Sequence, residues 1–328
     1  MTTQDPHGAG AGAGAGAEAG AGAGARAGAG ASVSPLDTVS PDAPRPSEST
    51  VRIGLVLPDA MGTYGDDGNS LVLRQRLRWR GYDAEIVRIT LEDEVPDSCD
   101  VYAVGGGEDA AQKLASQHLS ESPGLQRAVS RGVPVLAICA GMQVFGEWFM
   151  VSDGSRASGL GLLDITTSPQ ATRSIGELVV EPQLAGLSQP LTGFENHMGA
   201  TVLGPSAAPL GRVVSGTGNG VPADAASSGA PGPAASASSS ATGSASSSAT
   251  EPAASASRSA TAAAPGSSVE GVVQGSIIAT YMHGPVLARN PELADLLLCR
   301  ALGVDSLPPV DIPAVEQLRR ERIAAARR

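Results

Sequence analysis

Two tracts of this chain lack the side chains to build a core, and they confine any fold to what lies between and after them. Residues 8–31 are an Ala-Gly run broken only by Glu18 and Arg26, and residues 32–50 are rich in Ser, Pro and Asp. A second tract, about 222–268, is almost entirely Ala, Ser, Gly, Pro and Thr. Such segments bury too little apolar surface to offset the entropy of ordering. What remains, 51–220 with 269–305, suffices for one core of ordinary size. The sequence therefore predicts a disordered tail (1–50), one domain (51–305) interrupted at about 222–268, and a C-terminal tail (306–328) with a short basic helix.

The formal net charge of -11 argues against a nucleic-acid or anionic-membrane partner. Arg319, Arg320, Arg322, Arg327 and Arg328 form a local exception, read as a solvated helix end. No run of about 18 apolar residues is present to span a membrane. The N-terminus shows no charged segment followed by an apolar one. The three cysteines, Cys99, Cys139 and Cys299, are odd in number and far apart, which fits a reducing compartment. The expected location is the cytoplasm.

The folded part reads as alternating strand and helix. Val51–Leu57, Glu85–Ile89, Asp100–Val104 and Val133–Ile138 are apolar runs. Between them lie helical stretches at Leu71–Arg80, Ala110–His118 and Gly124–Arg131. Asp66 or Asp67 reads as the cap of the first helix, with Gly81 as its stop. Strands apolar on both faces predict an α/β fold, a mostly parallel sheet with helices on both faces. After Phe149, short β-like runs at Leu160–Ile165, Gly176–Glu181 and Thr201–Leu203 suggest an antiparallel section. Ser276–Tyr281 is a last strand and Pro291–Leu302 a closing helix.

Ligands of such sheets bind beyond the carboxyl ends of the strands. Three signals fall there: Gly105-Gly106-Gly107, Cys139 and His283. Cys139 ends a strand and is followed by the small residues Ala140 and Gly141 and then a helix start. That is a strand-turn-helix nucleophile elbow, where a helix N-terminus favours the thiolate and the Ala140 N–H faces a developing oxyanion. The same cysteine could equally be a buried, inert thiol. Cys99 and Cys299 lack such a setting and read as structural. His283 is the natural base for a thiol, although a lone histidine can be structural. The glycine triplet offers backbone N–H groups, or is simply a turn.

The stretch "CAGMQ" at 139–143 resembles the C-x-G-x-Q motif of class I glutamine amidotransferases. Further motifs accompany it in family order: "YGDDGN" at 64–69, "VGGGED" at 104–109, "RSIGE" at 173–177, "GFENHMGAT" at 193–201 and "YMHGPVLARNP" at 281–291. Together they resemble the cobyric-acid-synthase-like branch, and within it the glutaminase subunits of lipid II isoglutaminyl synthases. The resemblance implies that Cys139 attacks the side-chain amide of L-glutamine. It implies an oxyanion hole from Ala140 N–H and a glycine N–H, of Gly106 or Gly107, and a proton from His283 to the departing ammonia. Arg173 would hold the α-carboxylate, and Gln143 would line the pocket or brace the elbow. Glu195 to His197 read as pocket wall or interface.

The family's H-x-E pattern is broken here, since Gly284 and Pro285 follow His283. Glu195 and Asp109 are candidates for the missing acid only if the fold brings them near, so the sequence predicts that a partner supplies it. Lys113 is the only lysine, so no phosphate-binding G-x-x-x-x-G-K-[ST] loop exists. No cofactor is expected on this chain. ATP and Mg are expected on a Mur-ligase-like synthetase subunit, in a heterodimer that reaches a lipid-linked acceptor. A glutaminase component for a corrinoid acceptor, or a silent regulatory subunit, remain alternatives.

Overall fold

The computed structural model describes residues 38–41, 50–222 and 268–326; most of the expected tail and insertion lie outside them. The first half alternates: β1 (Thr38–Val39), β2 (Val51–Val56), α1 (Gly68–Arg78), β3 (Ala84–Ile89), β4 (Val101–Val104), α2 (Asp109–Glu121), α3 (Gly124–Ser130), β5 (Val135–Ile138) and α4 (Ala140–Phe145). The middle is β-rich: β6 (Trp148–Met150), β7 (Arg156–Ser158), β8 (Ile165–Pro182), β9 (Leu191–Leu203) and β10 (Gly211–Ser215). Beyond the insertion come β11 (Val269–Glu270), β12 (Val272–Gln274), β13 (Ile277–Thr280), α5 (Val286–Arg289), α6 (Pro291–Leu302) and α7 (Pro313–Ala326).

One sheet has seven strands in the order β1-β3-β2-β4-β5-β13-β12. Every pairing in it is parallel except β12 with β13. Strands β2, β4, β5 and β13 are buried at every residue, which is why they read as unbroken apolar runs. The charge within β2 is matched: the Arg52 guanidinium donates to Glu85 of β3 at 2.9 Å and to Ser98 at 3.2 Å. Helix α1 packs on β2 and β3 and meets α5 and α6, whereas α4 packs on β5 and β13 and meets α2. This is the predicted α/β architecture.

The second sheet runs β11-β10-β8-β6-β7, with β9 paired to β8. It is antiparallel except between β6 and β8. The short runs expected at 176–181 and 201–203 are parts of the long hairpin β8–β9. Its register slips between Pro169 and Ser174, so several residues of β8 bulge from the ladder, and Arg173 is among them.

Two boundaries and the setting of one side chain differ from the sequence reading. Thr38 and Val39, expected in the tail, form an edge strand on β3, and Arg52 also donates to Pro41 O at 3.3 Å. Helix α7, expected in a tail, packs on β8, β9 and α5. Its Arg319 is no solvated end: it is buried and donates to Pro190 O at 2.8 Å. The two flanks of the insertion meet, with Asn219 N–H donating to Val269 O at 2.9 Å.

Candidate active site

Adjacent strands β2, β4, β5 and β13 run parallel, so the residues that follow them converge at one end of the sheet. At the end of β5, Cys139 takes φ 51° and ψ -108°. A side chain tolerates that conformation only at a cost of about 1–3 kcal/mol, which the surroundings must enforce. They do so from both sides: Cys139 N–H donates to Thr280 O of β13 at 2.8 Å, and Gln143 N–H donates to Cys139 O at 3.1 Å. Gly141 completes the turn by close approach, because a Cβ there would lie 2.8 Å from Gly105 O. The sharp strand-to-helix elbow predicted for "CAGMQ" is present.

His283 follows β13 and is tied to β9 by paired backbone bonds with Phe194, at 2.9 and 3.3 Å. Its Nδ1 lies 3.0 Å from Oδ2 and 3.3 Å from Oδ1 of Asp66. Its Nε2 is buried without a hydrogen-bond partner. The Cys139 thiol lies close enough to act on the ring. Burial opposes charge on the imidazole, yet Asp66 and Cys139 outweigh it and lift its pKa from 6.5 to about 10. Asp66, His283 and Cys139 thus bring an acid, a base and a thiol together.

Asp66 corrects two expectations. The first was a helix cap in "YGDDGN": Asp67 occupies the cap position of α1, but its side chain makes no capping bond, and Asp66 serves His283 instead. The second was an acid from a partner subunit. This chain supplies the acid itself, 3.0 Å from the ring nitrogen. Asp109 and Glu195 do not: Asp109 accepts from Ser152 N–H at 2.7 Å, and Glu195 from Thr217 and Gly218 N–H at 2.7 and 2.9 Å.

The glycine triplet divides its duties. Gly106 N–H donates to Asp66 Oδ2 at 3.0 Å, so it offers no free donor, contrary to one of the two expectations for the loop. It is glycine for want of space: a Cβ would come within 3.0 Å of His283 and 3.4 Å of Cys139 Cβ. Gly107 lines the cavity beside Cys139 and Ala140, and its N–H has no partner among the described residues. Gly107 and Ala140, the first residue of α4, therefore both line the cavity together with Cys139.

The cavity measures about 580 Å³. Gln143 lines it but is held at both ends, accepting from Gln112 at 2.6 Å and donating to the Tyr281 hydroxyl at 2.9 Å. It braces the elbow from within the wall. His197 is pocket wall, buried and stacked on Tyr281 with ring centroids 3.7 Å apart. Arg173, in the β8 bulge, sits exposed at the mouth and donates to Asn196 at 2.7 Å. Cys99 and Cys299 lie outside this lining.

The model of the CobB/CobQ-like glutamine amidotransferase domain matches residues 52–236, more than half of the 328-residue chain. The chain belongs to this glutamine amidotransferase family. It is 30% identical over 254 residues to the lipid II isoglutaminyl synthase (glutamine-hydrolyzing) subunit GatD of Staphylococcus aureus, covering 77% of this chain and 84% of that one. The Streptococcus pneumoniae subunit of the same name is 28% identical over 277 residues, covering 84% and 89%. The cobyric acid synthase of Pelotomaculum thermopropionicum is 32% identical, but over 41% of this chain and 28% of its own. No described helix of this amidotransferase is long and apolar enough to cross a membrane.

The acid of this amidotransferase site was missed by sequence reasoning, as were Tyr64, Gln112 and Tyr281. One signal for Asp66 was available. Like the glycine triplet, Cys139 and His283, it follows a strand of the parallel sheet, inside a quoted motif.

Proposed function

We propose that this chain is the glutaminase subunit of a lipid II isoglutaminyl synthase. The observation that carries this is the likeness to GatD over most of both chains, joined to a complete acid-base-thiol set. Glutamine enters the cavity with its amide toward Cys139 and its α-carboxylate on Arg173, whose planar guanidinium suits a carboxylate. The Cys139 thiolate attacks the amide carbon, forming a C–S bond and a tetrahedral oxyanion. Ala140 and Gly107 N–H groups stabilise that oxyanion, at roughly 3–4 kcal/mol per donor in other hydrolases. The imidazolium of His283 gives its Nε2 proton to the departing nitrogen, ammonia leaves, and a thioester remains. Water, deprotonated by His283, then releases glutamate and restores the thiol. Asp66 keeps the proton on Nδ1, so that Nε2 faces the reaction.

The ammonia goes to a separate Mur-ligase-like subunit, which uses ATP and Mg to amidate the D-glutamate α-carboxylate of the lipid II stem peptide. The test is to co-express the chain with the synthetase it co-purifies with and to supply glutamine, ATP and lipid II. Ammonia release together with conversion of one stem-peptide carboxylate to a carboxamide, read by mass spectrometry, is the expected result. Glutamine hydrolysis with an unaltered stem peptide would refute the acceptor. No hydrolysis at all would refute the glutaminase.

A further inference from the structure

We propose that Glu108 receives the α-ammonium group of the bound amino acid and thereby selects an α-amino acid over a plain ω-carboxamide. This rests on the glutaminase function above and names the determinant of its specificity. A zwitterion carries opposite charges on one carbon, so a pocket that recognises it needs an anionic partner near its cationic one. The carboxylates lining the cavity are Glu108 and Asp109. Asp109 is engaged by the Ser152 N–H at 2.7 Å. Glu108 is exposed at the mouth and holds one oxygen in reserve: Oε1 accepts the Tyr64 hydroxyl at 2.6 Å, while Oε2 has no partner among the described residues.

The placement is set by Tyr64. Its ring lies against His283, with centroids 4.8 Å apart, and its hydroxyl fixes Glu108. The hydrogen bond to Glu108 raises the phenol's pKa, and Arg173 and Cys139 also act on it. Tyr64, Glu108, Arg173 and the nucleophile all line the one cavity. Arg173 uses Nε for Asn196, and its terminal nitrogens are unengaged among the described residues. A substrate whose amide reaches Cys139 thus leaves its α-carbon between a free guanidinium edge and a free carboxylate oxygen. A charge-assisted bond there is strong enough to discriminate between ligands that have the ammonium and ligands that lack it.

Protection of Cys139 from alkylation tests this on the full chain. L-Glutamate, the product, is compared with glutarate, which is the same molecule without the ammonium, and labelling by iodoacetamide is read by mass spectrometry. The wild type should be protected by L-glutamate at concentrations about tenfold lower than by glutarate. In Glu108→Gln that preference should fall to about twofold or less, with glutarate protection unchanged. Tyr64→Phe, which frees Glu108 without removing it, should fall between. A wild type without preference, or a Glu108→Gln variant that keeps it, overturns the proposal. Ammonia release is measured in parallel: if the preference depends on Glu108 but no glutamine is hydrolysed, Glu108 is supported and the glutaminase function fails.

Discussion

Asp66 Oδ2 and His283 Nδ1 stand 3.0 Å apart, 217 positions apart in sequence. That pairing places the acid of the site in the loop after the first core strand and the base after the last. It also makes the site self-sufficient in acid, so this chain needs no carboxylate from elsewhere to orient its imidazole. Gly106 N–H fixes the same carboxylate at 3.0 Å, which locks the acid to the loop that faces the sulfur.

Asp66→Asn should lower kcat for glutamine hydrolysis by about 10²- to 10⁴-fold, since the amide cannot hold the productive tautomer as a carboxylate does. KM should change little, because Asp66 lies behind the histidine and away from the cavity lining. Steady-state kinetics decide it. A kcat within twofold of wild type would return Asp66 to a structural role.

The raised pKa of His283 gives stability a definite pH dependence. The folded value of about 10 lies above the ordinary 6.5, so the folded state binds this proton more tightly than the unfolded chain does. The associated stability is complete below about pH 6.5 and is lost as pH rises toward about 10. Urea unfolding across that window should show the decline, and Asp66→Asn should flatten it. A wild-type profile that is level from neutral to alkaline pH would contradict the buried ion pair.

Two substitutions at Cys139 separate chemistry from strain. Cys139→Ala removes the nucleophile but keeps a Cβ at φ 51°, so turnover vanishes while the melting temperature stays near wild type. Cys139→Gly also abolishes turnover, yet it relieves the conformation and should stabilise the fold by about 1 kcal/mol. Thermal unfolding of the pair measures the difference. A glycine variant less stable than the alanine variant would mean that the elbow is not strained.

Replacing residues 223–267 with a short Gly-Ser linker should leave folding and hydrolysis nearly unchanged. The flanks already meet: Asn219 N–H reaches Val269 O at 2.9 Å, and the Asn219 side chain bonds Gly271 N–H and O at 2.7 and 3.1 Å. Loop length itself contributes little, about 0.6 kcal/mol per doubling. A melting temperature that fell by many degrees would show that the segment packs on the fold.

The sequence by itself determined what depends on neighbouring residues. Unbroken apolar runs such as Val101–Val104 and Val135–Ile138 announced strands covered on both faces, because burial is written into each side chain. The order Ile138, Cys139, Ala140, Gly141 announced the elbow, since only small residues follow such a turn. Tertiary structure decided what depends on pairing across distance. Nothing local in Ile277–Thr280 says that it slots between β5 and β12, with Thr280 opposite Ile138. Yet that register brings His283 to Cys139 and both to Asp66. The two acids of "YGDDGN" look alike in sequence, and only the packing of β13 beside β5 distinguishes Asp66, which faces the imidazole, from Asp67, which heads α1. Arg319 shows the same in reverse: its charge predicted solvent, while the docking of α7 on the β8–β9 hairpin buried it against Pro190 O. Periodicity and composition encode which surfaces must be covered, whereas the contacts that cover them are chosen among segments more than a hundred residues apart.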